Sequence, residues 1–133
     1  NLQFIIIGTV NDLSAGEAIC NAIGKRAVNF CGNSSITKSA ALLSKCELLI
    51  GNDGGAMHLG AGVGCKTISI IPGIEYPGSI EPWMNNELSI RHEINCAPCY
   101  NFSFCPLGHN LCMKNISVTD VYEKCTLVLK GKA

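Results

Sequence analysis

The sequence LLIGNDGGAMHL, residues 48–59, runs from an apolar strand through a glycine pair into a small-residue segment with helical character. A strand that enters a helix in this way places free backbone N–H groups at the helix N-terminus, where the dipole favours an anion. Asp53 and His58 flank that point, so the loop is suited to a sugar hydroxyl or a diphosphate. The alternative is a tight turn in which Asp53 caps the helix and His58 is solvated.

Strand and helix patterns alternate outward from this stretch. Apolar runs predict strands at residues 2–7, 27–30, 48–50 and 67–71, and helical apolar faces predict helices at 14–23, 37–45, 56–63 and 120–129. Ser14 and Glu17 have the spacing of a capping box, and Ser117 or Thr119 is expected to start the last helix. Helical crossovers of about ten residues predict a parallel sheet of at least four strands. Ligands bind at the carboxyl ends of such strands, so the turns after residues 7, 30, 50 and 71 are expected to share one rim.

Composition excludes several classes of protein. The 133 residues suit one domain, residues 1–133, and ten basic residues balance ten acidic ones. Without a basic stripe, nucleic acid is not expected as a partner. No apolar run reaches the roughly 18 residues of a membrane span. The start lacks a basic region and is interpreted as a strand, not a signal peptide.

Nine cysteines are present, and five of them are scattered among predicted helices and strands, which suits reduced thiols in a cytosolic protein. Residues 72–95 form a proline-rich loop in which Trp83 is expected to be at least partly buried. The other four cysteines lie in a cysteine-rich loop, residues 96–112, at Cys96, Cys99, Cys105 and Cys112. They are interpreted as a structural metal site, a disulfide pair or plain thiols that fix the loop, with His109 as a structural hydrogen-bonding group.

Residues 35–59, SITKSAALLSKCELLIGNDGGAMHL, strongly resemble glycosyltransferase family 9, the ADP-heptose:lipopolysaccharide heptosyltransferases. The motifs CAPCY at 96–100 and CPLGHNLCM at 105–113 match a cysteine-rich segment of many members. The likeness covers roughly residues 2–128. It implies an α/β fold, a Rossmann-like parallel sheet with helices on both faces, which is the C-terminal half of a GT-B fold.

By this resemblance the chain is the nucleotide-sugar-binding domain. The family's first strand of this domain lies upstream of Asn1, and the N-terminal acceptor domain with its proposed catalytic Asp base is absent. The chain alone is therefore expected to bind a donor and to be inactive as a transferase.

The resemblance also assigns site residues. Asp53 matches the Asp that contacts the donor's sugar-phosphate, Gly54 and Gly55 match the pair whose amides hold the diphosphate, and His58 matches the His on the following helix. Asp53 and His58 are the candidate catalytic residues. The family usually has Ser or Thr where this chain has Gly54, so one hydroxyl donor is lost.

Four further residues are candidates for binding the nucleoside. Ser34 and Ser35 fall in the loop that approaches the adenine in the family, and Asp12 is the candidate for the ribose hydroxyls, with Glu17 second.

The activity implied is inverting transfer of heptose or a related sugar from an ADP-sugar to the lipopolysaccharide core. No cofactor is required, although the cysteines allow a structural zinc. The expected location is cytoplasmic, at the inner face of the bacterial inner membrane, with peripheral membrane contact in the full-length protein. The alternatives are a non-catalytic nucleotide or nucleotide-sugar-binding module, a structural zinc-binding interaction domain and, more weakly, an oxidoreductase using Cys96 and Cys99.

Overall fold

A computed structural model of the protein describes residues 2–33 and 35–131. The chain falls into two compact units, Asn1–Leu42 and Leu43–Ala133. All five β-strands of the described residues run parallel to their partners. They form two sheets, of two and three strands, rather than the one sheet of at least four that the strand and helix pattern predicts.

The first unit contains a strand–helix–strand arrangement. Strand β1 (Phe4–Ile6) pairs with β2 (Ala27–Asn29). A 3₁₀ turn (Val10–Asp12) leads directly into helix α1 (Leu13–Ile23), which packs against both strands. Helix α2 (Ile36–Leu43) follows β2.

The start of α1 differs from the expectation. The capping box is not at Ser14 and Glu17 but one turn earlier, where Thr9 and Asp12 satisfy each other's backbone N–H groups. The 3₁₀ turn supplies the helix entry, so Ser14 already lies inside α1. Gly24 ends the helix at a φ of 81°, as expected for a glycine stop.

The second unit is built on a three-stranded sheet in the order β3 (Leu48–Asn52), β4 (Lys66–Ile71), β5 (Ile90–Arg91). Helix α3 (Gly55–Gly62) connects β3 to β4, and the short helix α4 (Leu111–Lys114) and helix α5 (Val118–Leu129) follow β5. Ser117, one of the two residues predicted to start this helix, caps α5 through a capping box with Asp120.

Helices cover both faces of this sheet. On one face, Val128 of α5 packs with Ile68 and Leu88 to form the core, and Leu48 lies against them. On the other face α3 approaches so closely that a Cβ at Gly60 would meet the Leu49 side chain at 2.8 Å. Glycine leaves room for this close helix–sheet contact, and side chains on both faces of β4 are covered by helices.

The segment after β4 departs from a plain loop. It contains a 3₁₀ turn (Asn86–Leu88) and strand β5, a fifth strand that the apolar pattern does not reveal. Trp83 exposes 77% of its surface, so the expectation that it packs is wrong. The neighbouring Pro82 and Asn85 are buried instead, and Asn85 Oδ1 accepts the Thr67 N–H at 3.0 Å.

No helix within the described ranges has the length and apolarity needed to cross a bilayer.

Candidate functional site

The loop between β3 and α3 in the second unit brings together four of the predicted site residues. The Asp53 N–H donates to Ile70 O at 3.0 Å, so the chain leaves β3 still bonded to β4. Gly54 is the N-cap of α3, and no side chain caps the helix there. The first N–H groups of an α-helix have no acceptor within the helix, so this turn offers hydrogen-bond donors to a ligand.

Both glycines of this loop border open space. Apart from the adjoining residues and the nearby backbone of α3 itself, no described atom lies within 4 Å of the position that a Cβ would take at Gly54 or Gly55. The φ of Gly54 is 161°, which is extended backbone. The glycine pair therefore leaves free space beside the chain. It is not needed here for an unusual backbone conformation.

Asp53 and His58 lie at the two ends of this turn. His58 Nε2 is 3.9 Å from Asp53 Oδ1, and the side chains expose 50% and 22% of their surface. Met57 between them is buried, with its sulfur close to Gly51, and it anchors the first turn of α3. Asp53 does not cap the helix, because Gly54 holds that position, so the alternative that treated it as a cap is wrong.

The described residues that were predicted to bind the nucleoside belong to the first unit. The Asp12 carboxylate accepts Thr9 N–H at 2.7 Å and Thr9 Oγ1 at 2.8 Å, and these bonds lower its pKa. Ser35 Oγ accepts the Lys38 N–H at 3.3 Å, as an N-cap of α2 does. Glu17 is exposed on α1, and Ser34 lies outside the described residues.

Arg91, at the end of β5, was missed by the sequence analysis. Its guanidinium donates to Pro72 O at 3.0 Å, to Glu75 O at 2.9 Å and to Glu81 Oε1 at 2.9 Å. The two side chains are 13% and 6% exposed. A signal existed, because Arg91 is the sole lysine or arginine between Lys66 and Lys114, a region with four glutamates.

The buried ion pair fixes the loop after β4. Burial alone would raise the pKa of Glu81, but hydrogen bonds from Arg91 and from backbone N–H groups outweigh it, so the pKa lies below its usual value. The pair therefore ties the loop after β4 to the end of β5, at the carboxyl edge of the sheet.

The four cysteines of the cysteine-rich loop meet at two places. Cys96 Sγ and Cys105 Sγ lie 4.0 and 3.9 Å from opposite nitrogens of His109, whose Nδ1 accepts the Leu111 N–H at 3.1 Å. The Cys99 N–H donates to Gly73 O, and the Cys112 side chain lies against Gly73. All nine cysteines are free thiols.

Within residues 2–33 and 35–131, no three His, Cys, Asp or Glu side chains are placed to share an ion. Backbone N–H groups of this loop also act on one of its thiols. The Asn110 N–H, 3.4 Å from Cys105 Sγ, and further backbone N–H groups lower the pKa of Cys105 against the opposing effect of burial.

The sequence matches a known protein family. The model of glycosyltransferase family 9 (heptosyltransferase) matches residues 3–106. Lipooligosaccharide heptosyltransferase 2 of Campylobacter jejuni is 31% identical over 125 residues, which are 88% of this chain and 39% of that protein. The chain thus spans about two fifths of the length of this relative.

Two solved structures share the fold. A glycosyl transferase family 9 protein of Veillonella parvula has a TM-score of 0.73 and 21% identity, over 96% of this chain and 37% of that one. The ADP-heptose lps heptosyltransferase II of E. coli has a TM-score of 0.69 and 20% identity, over 98% of this chain and 38% of that one. The fold is accordingly the Rossmann-like α/β arrangement found in part of these GT-B proteins. With a family model matching most of its length, the chain belongs to glycosyltransferase family 9, the heptosyltransferase family.

Proposed function

We propose that this chain is the donor-binding part of an inverting glycosyltransferase, which moves heptose or a related sugar from an ADP-sugar to the lipopolysaccharide core. The observation that carries the proposal is the β3–α3 turn. Uncapped helix N–H groups, open space beside Gly54 and Gly55, and an exposed imidazole occur together there.

Each group has a role in this proposal. The N–H groups at the start of α3 bind the diphosphate, whose negative charge the helix dipole favours. His58 donates to the phosphate oxygen on which charge grows as the sugar leaves, and Asp53 accepts a hydroxyl of the donor. These groups stabilise the leaving diphosphate without a metal ion. Asp12 and the serine pair Ser34 and Ser35 bind the nucleoside.

The groups that bind and activate the acceptor are proposed to lie in the rest of the protein. The catalytic base and the acceptor site belong to an N-terminal domain, and the relatives named for ADP-heptose and lipooligosaccharide support both substrate classes. An ADP-sugar and a lipid-linked acceptor meet at the cytoplasmic face of the inner membrane, so the proposal places the protein there, in peripheral contact with that surface.

Calorimetric titration of the full-length protein tests the proposal. ADP is expected to bind, and UDP is expected to bind more weakly. In a separate activity assay, transfer from ADP-heptose is expected to persist in EDTA. Binding of ADP without transfer to any lipopolysaccharide core would favour a non-catalytic nucleotide-binding module. Equal binding of UDP and ADP, or loss of transfer in EDTA, would contradict the donor or the metal-independent mechanism.

A further inference from the structure

The His58 imidazole is not held by a hydrogen bond to its acidic neighbour. Its Nε2 lies 3.9 Å from Asp53 Oδ1, which is longer than a hydrogen bond, and half of the side chain is exposed. Residues 53–58, from the end of β3 through the first turn of α3, form the donor turn of the proposed function. The direction of the ring therefore depends on the backbone of this turn.

The sequence of α3 does little to stabilise its own first turn. Three of its eight residues are glycine, which is the poorest helix former after proline. No side chain caps the helix at Gly54. A helix of this length and composition depends on packing against the sheet for its stability. The position of His58 must therefore come from the buried contacts of α3.

Met57 makes the buried contact of the donor turn. Its side chain is 1% exposed, and its N–H donates to Gly54 O at 3.0 Å. Long side chains of a helix lean toward the helix N-terminus, which brings the Met57 thioether back over β3. A Cβ on Gly51 would lie 3.2 Å from Met57 Sδ, so the missing side chain of Gly51 leaves the space that the sulfur occupies.

The strand beneath this contact is fixed by its neighbour in the sheet. Gly51 of β3 is in register with Ser69 of β4, the central strand. One residue beyond β3, the Asp53 N–H still donates to Ile70 O at 3.0 Å. The packing of Met57 thus joins the start of α3 to a strand that the sheet holds in place.

We propose that Met57 is a positioning residue of the donor site, which packs on Gly51 and thereby fixes the direction of the adjacent His58 imidazole. The inference rests on the proposed function for the role of His58 as a donor to the leaving diphosphate. Methionine suits this place, because its unbranched and polarisable side chain fills irregular spaces. A displacement of about 1 Å can lower a rate about 100-fold, so a packing residue controls the rate without touching the ligand.

Steady-state transfer by the full-length protein tests whether Met57 acts through His58. Met57→Ala is expected to lower kcat about tenfold, because the first turn loses its buried contact. Met57→Leu keeps the buried volume and should stay within about twofold of the wild-type protein. In a His58→Ala background, Met57→Ala should lower kcat by less than about twofold, since the group that it positions is gone. Losses that multiply, or a Leu variant as slow as the Ala variant, would overturn the proposal.

Val128→Ala is the matched control for lost stability. Val128 is 6% exposed and packs with Ile68 and Leu88 on the opposite face of the sheet from α3. Its truncation also leaves a buried space, but kcat should stay within about twofold at a temperature where both variants are folded. A loss in this control equal to that of Met57→Ala would show that the rate follows stability, and would overturn the proposal.

A measurement without ligand keeps this inference separate from the proposed function. Hydrogen exchange at the backbone amides of residues 57–61, followed by mass spectrometry, reports whether the first turn of α3 opens. Exchange should be at least about tenfold faster in Met57→Ala than in Val128→Ala, because only the first variant loosens this turn. Equal rates would overturn the role of Met57 even where transfer is observed. Absence of transfer by the wild-type protein would reject the proposed function and leave the exchange rates to decide the role of Met57.

Gly51→Ala tests the same contact from the strand and does not depend on the folding of Met57→Ala. The added methyl group would lie 3.2 Å from Met57 Sδ, so the sulfur must shift by a few tenths of an ångström. The variant is expected to lower kcat about threefold and to speed exchange at residues 57–61. Unchanged kcat together with unchanged exchange would overturn the proposal.

Discussion

His58 exposes half of its side chain, whereas Asp53, 3.9 Å away, exposes about a fifth. The imidazole can therefore reach a ligand in front of α3 while the carboxylate lies deeper beside the turn. The buried neighbour that holds the turn is Met57, not either of these polar residues. Removing one polar side chain should thus affect the ligand more than the fold.

In the full-length protein, His58→Ala is expected to lower the transfer rate about 100-fold, the usual effect of losing one hydrogen-bond donor to developing charge. Asp53→Ala is also expected to lower transfer, because the sugar hydroxyl loses its acceptor. Thermal unfolding should shift little. His92→Ala is the control, because that ring contacts Asn115 at 3.0 Å and lies outside the donor turn. Matching losses of activity and thermal stability would instead indicate a structural role for both residues.

Gly54 offers a gain-of-function test at the same scale. Its backbone is extended and the space beside it is free, so a serine fits without strain. Gly54→Ser restores the hydroxyl usual in the family and should tighten ADP binding about fivefold in a calorimetric titration. Gly54→Ala adds the carbon without the hydroxyl and should not tighten it. An equal gain from Ala would mean that a stiffer chain, not a hydrogen bond, is responsible.

At the scale of elements, the Arg91–Glu81 pair fixes the loop after β4. Arg91→Met leaves the Glu81 carboxylate buried without its partner, which should cost about 3 kcal/mol of unfolding free energy. Chemical denaturation of the variant and the wild-type protein measures this cost. Lys114→Met removes an exposed charge as a matched control and should change stability little.

The same pair predicts a pH dependence. The pKa of Glu81 is lowered in the folded state, so its contribution to stability is present above the ordinary value of 4.5 and is lost as the pH falls through the lower folded value. Denaturation curves below pH 4.5 should therefore show a loss of stability that is reduced in Glu81→Gln. Identical acid profiles for the two proteins would show that the carboxylate is not the group responsible.

The cysteine-rich loop makes contacts around His109 and backbone hydrogen bonds to Gly73. Among the residues that the structure describes, no three His, Cys, Asp or Glu side chains are placed to share an ion. Protein purified without added zinc is expected to contain only substoichiometric metal, measured by plasma mass spectrometry. Stoichiometric zinc, lost on replacing Cys96 and Cys105 by serine, would show that the thiols rearrange to bind it. Thermal unfolding with and without chelator provides the independent readout.

Elements with local signals were predictable from the sequence, and those that depend on distant partners were not. The apolar run at 48–50 with its glycine pair, and Ser117 ahead of Asp120, each carry their signal within a few residues. The environments of Trp83 and Arg91 have no such local signal. Whether a loop residue is buried depends on contacts 10–19 residues away, such as those that Arg91 makes to Glu81 and Pro72. An apolar residue such as Trp83 is the one expected to be buried. In the structure the buried residue is Asn85, whose side-chain oxygen accepts the Thr67 N–H.

At the scale of the whole molecule, the described site residues of the second unit address only the donor. Asp53 and His58 lie at the donor turn, and the chain spans about two fifths of its relative's length. Inverting transfer also needs a base on the acceptor hydroxyl. The proposal assigns that base to the N-terminal domain, so the two substrates depend on different parts of the protein.

The last prediction follows from this division. The 133-residue chain alone is expected to give no transfer from ADP-heptose to lipopolysaccharide core, while the full-length protein does, since aligning two reactants and a base supplies much of the rate. Mass spectrometry of the core product measures both. The full-length His58→Ala variant sets the level of residual activity. Turnover by the chain alone that His58→Ala abolishes would place the base among these residues and reject the division between donor and acceptor halves.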